Sequence, residues 1–201
     1  LALERIGAPA FVRQARDLGL KAKNAALVDL NVKQLEDDLK NHDIVVMPGH
    51  VAIGEKDRSV LLTEGGSDLT ALYVANKLGI KALLLKDVEG VFEHDPKQAG
   101  PAPKRYNTIS YAQAREKAAP LISPKALDFA EENNIEFGIG KPAIPSFTTI
   151  GAKTGTLSPI PNPPKLKVAM MGCGIVGGGV YRRVKANSDR FEIVKILVRD
   201  T

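Results

Sequence analysis

The chain has 201 residues, a net charge of +5 and a 44% apolar fraction, the balance of an ordinary globular protein of one domain or two small ones. Its lysines and arginines are spread along the sequence without aromatic partners, which argues against a nucleic-acid surface. No apolar run is long enough for a membrane span.

The single cysteine, Cys173, excludes an internal disulfide and fits a reducing, cytoplasmic compartment. His42, His50 and His94 lie far apart without metal-ligand spacing, so no metal site is expected. The opening Leu1-Ala2-Leu3-Glu4-Arg5 is no signal peptide and follows no methionine. The expectation is a chain that begins partway through something longer.

Phe11, Ala15 and Leu18 recur at helical spacing and predict a helix over Pro9 to Leu18, stopped by Gly19. Ala25 to Val28 reads as a short strand. Asn31 to Lys40 reads as a helix with Val32, Leu35 and Leu39 inward. Asp43 to Met47 is a continuous apolar run ended by Pro48-Gly49, the pattern of a buried parallel strand. A polar loop from Gly54 to Ser59 leads into Val60-Leu61-Leu62. Then comes Thr63-Glu64-Gly65-Gly66-Ser67-Asp68-Leu69-Thr70-Ala71, a glycine pair opening into a helix. Ser67 or Asp68 is suited to cap it. Ala71, Val74, Ala75 and Leu78 form its expected buried stripe, and Gly79 its left-handed end. Free amides at that end suit a phosphate or carboxylate; an ordinary glycine turn before a helix is the plainer alternative.

Lys81 to Leu85 predicts another buried strand, with a turn over Asp87 to Gly90 and loop from Gly100 to Tyr106. Helices are expected at Tyr111 to Ala119 and Ser123 to Asn133, the second with Ala126, Leu127 and Ala130 inward. A strand follows at Ile135 to Ile139, and further strands over Phe147 to Leu157 are broken near Gly151 to Gly155. Strand and helix alternate with ligand-type residues after the strands, which predicts an α/β fold on an open, mainly parallel sheet. Ligands in such sheets sit beyond the carboxyl ends of the strands.

Residues 158–164 carry four prolines and read as a stiff linker. Beyond it Leu166 to Met171 predicts a strand, Val176 to Ala186 a helix and Phe191 to Val198 a second strand. Between the first two lies Gly172-Cys173-Gly174-Ile175-Val176-Gly177, a G-x-G-x-x-G fingerprint in βαβ context. Gly172 permits the tight turn, Gly174 lets a pyrophosphate approach, and Gly177 allows close packing of helix on strand. Cys173 reads as a small filler. Two strands and a helix should leave apolar faces of Val168 and Ile196 uncovered.

Gly65-Gly66-Ser67-Asp68-Leu69-Thr70-Ala71 resembles the aspartate kinase signature of the amino-acid kinase family. Met47-Pro48-Gly49 upstream, and Lys86-Asp87-Val88-Glu89-Gly90-Val91-Phe92-Glu93-His94-Asp95-Pro96-Lys97 downstream, match that family's flanking motifs in order. The resemblance covers roughly residues 1–157 and implies an amino-acid-kinase fold with ATP-dependent phosphorylation of the aspartate side chain, magnesium accompanying the ATP. It puts Asp68 at the catalytic position and Ser67, Gly65, Gly66 and Glu64 around the amino-acid substrate. Lys86, Asp87, Phe92 and Lys97 fall where the family holds the nucleotide. Small-molecule substrates and a homo-oligomer are implied with it.

This sequence departs from the pattern at telling places. Glu64 stands where the family has an arginine for the substrate's α-carboxylate, turning attraction into repulsion. Lys86 replaces a threonine, Phe92 a tyrosine, Lys97 an arginine and Pro120 a nucleotide-facing lysine. The family's amino-terminal Lys-Phe-Gly-Gly motif is absent.

Residues 165–201 resemble the start of homoserine dehydrogenases, with a Rossmann βαβ whose cofactor contacts are Gly172, Gly174, Ile175, Val176, Gly177 and Arg199. By that resemblance Arg199 meets the 2′-phosphate of NADP, while Asp200 directed at the ribose would favour NAD. Together the two parts resemble a fragment of a bifunctional aspartokinase/homoserine dehydrogenase, without the regulatory ACT domains such fusions carry between their halves. Two alternatives stand beside this. In one, a degenerate kinase-like module holds a nucleotide or metabolite, or dimerises. In the other, a kinase acts on a different substrate, Glu64 meeting a cationic group.

Overall fold

The computed structural model describes residues 2–5, 7–24, 26–96, 103–119, 121–153, 155–158, 166–171, 175–186 and 191–197. The chain divides into two compact units, Leu1–Ser158 and Pro159–Thr201. No helix among the described residues is long and apolar enough to cross a membrane.

The first unit opens with a short helix, α1 (Ala2–Arg5), and a strand, β1 (Ala10–Val12). The helix expected over Pro9 to Leu18 is therefore replaced by a strand followed by turns. Phe11 stacks on His42 and lies under the Arg13 guanidinium, while Ala15 and Leu18 are buried from the turns. Tertiary pairing has overridden a three-residue periodicity. β1 pairs parallel with β4 (Ile44–Val46). Between them come β2 (Lys21–Lys23), β3 (Ala26–Asp29) and α2 (Val32–Asn41), the last capped by the Asn31 side chain on Gln34 N–H. A hairpin of β5 (Val51–Ile53) and β6 (Ser59–Leu61) occupies the stretch read mostly as loop, and completes a four-stranded sheet ordered β3-β2-β5-β6.

α3 (Gly66–Leu78) and β7 (Ala82–Leu85) follow. Next come β8 (Arg105–Ser110), α4 (Tyr111–Lys117), α5 (Pro124–Glu132), β9 (Phe137–Gly140), β10 (Phe147–Gly151) and β11 (Thr156–Ser158). These strands form a five-stranded sheet, β11-β8-β10-β9-β7. β7–β9, β8–β10, β1–β4 and β2–β5 pair parallel; β9–β10, β8–β11, β2–β3 and β5–β6 are antiparallel neighbours. The fold is α/β with open sheets and parallel pairing, as the sequence predicts; hairpins supply three of the antiparallel pairs named here, and β11 returns to β8 for the fourth. β8 begins at Arg105, inside the segment expected to be loop.

Two apolar clusters fill the unit. Leu72, Ile109, Phe137, Ile139 and Ile150 belong to one, and Leu18, Leu20, Leu35, Ala52 and Tyr73 to the other. α3 lies between them, and its buried apolar side chains are Leu69, Leu72, Tyr73 and Ala75. The predicted stripe of Ala71, Val74, Ala75 and Leu78 is only partly right, since Ala71 is exposed and Val74 and Leu78 are half-buried. A helix that touches two cores is buried on more than one face, so a single stripe under-describes it. On α2 the expected inward Leu39 is exposed, and Asp38 is buried instead, holding Arg13 at 2.6 Å.

In the second unit β12 (Leu166–Met171), α6 (Ile175–Ala186) and β13 (Phe191–Leu197) form a βαβ, its two strands parallel. Val168 and Ile196 are half-buried rather than uncovered; the exposed apolar side chains are Leu166, Val194 and Leu197 on the strands and Val176 and Val180 on the helix. The proline-rich segment 159–164 lies outside the described residues.

Candidate functional site

Three loops of the first unit meet at the start of α3. The chain leaves β6, and Gly66 N–H closes a turn on the Thr63 carbonyl at 2.8 Å. Gly65, not Ser67 or Asp68, is the residue that caps the helix, in the left-handed region at φ 76°. Ser67 and Asp68 already lie within the first turn. Glycine suits that conformation, and a second constraint applies: a Cβ at Gly65 would stand 2.1 Å from Ser123, which itself caps α5. A Cβ at Gly66 would meet Leu62 and His50. A Cβ at Gly49 would sit 3.1 Å from Ser67. The Pro48-Gly49-His50 loop is therefore packed directly on the first turn of α3, bringing together two motifs eighteen residues apart in sequence. At the other end Gly79 takes the left-handed cap at φ 65° as expected, with Ile80 N–H on the Ala75 carbonyl.

Asp68 is buried, at 8% exposure, and holds Lys86 Nζ with both carboxylate oxygens, at 2.7 and 2.9 Å. Lys86 directly follows β7, where its N–H donates to the Gly140 carbonyl at 2.8 Å and so continues the pairing of β7 with β9. The family resemblance implies that Lys86 is among nucleotide-holding residues, and the structure joins it to the candidate catalytic carboxylate. Ser67 and Glu64 are exposed at the same corner. Lys125, on the first turn of α5, donates to Thr63 Oγ1 at 3.1 Å and supplies a cation one residue from Glu64. Ser67 also borders a groove of about 380 Å³ between Met47 and Gly49 on one side and Ile80 to Leu83 on the other, floored by α3.

One residue beyond Lys86, Asp87 lines a cleft of about 480 Å³ together with Val88, Phe92, His94, Lys117 and Leu121. Asp87 is exposed and Phe92 half-buried. The turn that shapes this wall is fixed from behind. Val91 N–H donates to Thr148 Oγ1 at 2.9 Å, and that hydroxyl donates on to the Tyr106 carbonyl at 2.6 Å. Gly90, at φ 131°, lies against Thr148 and the buried Arg105. Lys117 comes from α4 and is paired with Glu116 at 2.7 Å, a hydrogen bond that raises its pKa above the usual lysine value.

The sequence singles out Asp68, Lys86, Ser67, Asp87 and Phe92; the structure pairs the first two, sets Asp87 and Phe92 in the wall of one cleft and Ser67 at the edge of another groove. The sequence does not single out Lys117, Thr148, Arg105 or Lys125. Lys117 carries the only cue of the four, lying three residues before Pro120 in the sequence. The other three act through contacts across the fold that no local motif announces. Lys97, Pro120, Gly172, Cys173, Gly174 and Arg199 lie outside the described residues. Of the fingerprint, Ile175, Val176 and Gly177 open α6, with Val176 exposed. Among the described residues no group of three or more His, Cys, Asp or Glu is placed to hold a metal ion.

The profile of the amino acid kinase family matches residues 2–140. Among characterised proteins, the aspartokinase of Bacillus sp. (strain MGA3) is 33% identical over 116 residues, covering 56% of this chain and 28% of that protein. Lysine-sensitive aspartokinase 3 of Escherichia coli (strain K12) is 33% identical over 120 residues, covering 58% and 26%. The crystal structure of E. coli aspartokinase III in complex with aspartate and ADP superposes with a TM-score of 0.64 at 25% identity, over 76% of this chain and 37% of that one. Aspartate kinase from Synechocystis gives a TM-score of 0.62 at 23% identity, over 81% and 27%. The chain spans well under half the length of each of these relatives.

Proposed function

We propose that this chain, which belongs to the amino acid kinase family, is part of a bifunctional aspartate kinase/homoserine dehydrogenase of aspartate-family amino-acid biosynthesis. In this reading residues 1–157 hold ATP, with magnesium, beside an aspartate site, and residues 165–201 begin an NADP- or NAD-binding Rossmann domain. The observation that supports it is the Asp68–Lys86 pair at the first turn of α3, with Asp87, the residue after Lys86 in the chain, in the wall of the cleft that Phe92 also lines. Phosphoryl transfer asks a protein chiefly for positioning and for charge stabilisation. Asp68 holds an ammonium beside the reacting region, Ser67 borders the substrate side, and the Asp87-to-Phe92 wall receives the nucleotide.

Glu64 favours a second reading. It is exposed at the substrate rim with Lys125 nearby, and its carboxylate repels the α-carboxylate of aspartate. On that account the first unit holds a nucleotide or metabolite without phosphorylating aspartate.

One assay separates the two. Incubated with ATP, magnesium, aspartate and hydroxylamine, the full-length parent gives ATP-dependent hydroxamate on the first reading, and binds ADP without hydroxamate above background on the second. Robust ATP-dependent hydroxamate restores the fully catalytic reading, and absence of ADP binding removes both. For the second unit, NADP is expected to bind more tightly than NAD, with the preference lost in Arg199→Ala. Equal affinities in the unaltered protein overturn the assignment of Arg199.

A further inference from the structure

We propose that Thr148 is a positioning residue for the cleft that Asp87 and Phe92 line: its hydroxyl is wedged into a backbone pair and sets where the cleft wall stands. The inference rests on the nucleotide-holding reading above for the identity of the ligand alone. Val91 and Tyr106 face each other as antiparallel neighbours, beside the bridge between Phe92 and Arg105. Two residues so placed ordinarily exchange two bonds between N–H and carbonyl. Here one is direct, from Tyr106 N–H to the Val91 carbonyl at 2.9 Å. The other is interrupted. Val91 N–H donates to Thr148 Oγ1 at 2.9 Å, and that hydroxyl donates to the Tyr106 carbonyl at 2.6 Å. A hydroxyl offers one donor and two acceptor sites, so Thr148 satisfies both backbone groups while holding them apart. The gap is roughly 1–2 Å wider than a direct bond would leave.

The wedge is backed by the sheet and acts on residues of the wall. Thr148 is fully buried on β10, which pairs with β8 on one side and β9 on the other. Next to the interrupted bond is Gly90, at φ 131°, where a Cβ would stand 2.5 Å from Thr148 Oγ1 and 3.0 Å from Arg105 Cδ. Only glycine fits both that conformation and that approach. One residue earlier, the Glu89 carbonyl accepts from the Arg105 guanidinium at 3.3 Å. The turn is thus held at residue 89 by a side chain of β8 and at residue 91 by a side chain of β10. Val91 is fully buried, whereas Gly90 and Phe92 on either side of it line the cleft with Asp87 and Val88. These wall residues take their place from a hydroxyl that does not itself line the cleft.

The test uses the full-length parent and its Thr148→Ala and Thr148→Ser variants, with crystal structures of both variants and calorimetric titration of ADP. In Thr148→Ala the Val91 N–H is expected to close directly on the Tyr106 carbonyl, carrying Gly90 and Phe92 toward β8. ADP binding should weaken about tenfold or more with it. Thr148→Ser keeps the hydroxyl, and should hold the wall in place with ADP affinity within about threefold of the unaltered protein. Ile150→Val, at the next fully buried position on the same face of β10, should lower the melting temperature and leave ADP affinity alone. If Thr148→Ala proves unfolded, Thr148→Val, which can neither donate nor accept there, gives the same titration and structure. A wall that stays in place in the alanine variant, with water where the hydroxyl was, overturns the inference. So does undiminished ADP binding in a folded variant without the hydroxyl, or an equal loss in Ile150→Val, which would mark Thr148 as purely structural. Failure of the unaltered parent to bind ADP is a different result: it overturns the nucleotide reading, and the crystal structures alone then decide whether Thr148 sets the wall.

Discussion

Gly65 and Gly79 close the two ends of one helix in the same left-handed conformation, yet their surroundings differ. Nothing lies within 4 Å of where a Gly79 side chain would be, whereas Ser123 stands 2.1 Å from a Cβ at Gly65. Gly79→Ala should therefore cost only the left-handed penalty, about 1–2 kcal/mol. Gly65→Ala should cost more, and should also disturb the cap of α5. Urea denaturation of the two variants checks this, and equal losses would show that the approach of Ser123 is not constraining. The glycine pair was legible in sequence as a turn opening a helix. Why Gly65 in particular must be glycine was not, because Ser123 reaches it from a distant helix. The same holds for Asp68, which stood out as a candidate from its motif while its partner Lys86 became visible only when β7 and α3 were set side by side.

Among the elements, α2 shows how an ion pair redirects a helix face. Periodicity favours Leu39 inward, but Arg13 grips Asp38 in a bidentate pair and Asp38 is the one buried. The hydrogen bond from Arg13 holds the Asp38 carboxyl below its ordinary value of 3.8, against an opposing effect of burial. A depressed carboxylate contributes stability that is fully present above the unfolded value and is lost as pH falls through the lower folded one. Asp38→Asn should therefore melt below the unaltered protein at neutral pH, with the gap closing as the pH is taken under about 3.8. A gap independent of pH would assign the effect to packing. Elements with caps or long periodic runs were readable: α2, α5 and α6 lie within a residue or so of expectation, while α3 ends at Gly79 as expected but starts at Gly66, ahead of the expected caps Ser67 or Asp68. The first strand, the β5–β6 hairpin and β8 were not, since strands of three to six residues acquire their identity from neighbours remote in the chain.

Across the first unit the two apolar clusters share Leu27 and Phe129, which pack against both. Such bridging couples their unfolding. Ile109→Ala in one cluster and Leu20→Ala in the other each remove a fully buried side chain and should each cost about 2–5 kcal/mol. Both should lower one common thermal transition of that unit. Separate shifts of two resolved transitions would show lobes that melt independently. A practical matter follows from β7. Among the described residues its hydrogen-bonded partner is β9 alone, and Leu83 and Leu85 along it are 50% and 56% exposed. A strand with a bare backbone margin and greasy side chains is a template for self-association. Concentrated solutions should consequently scatter light progressively, and a lysine placed at Leu83 should keep them clear.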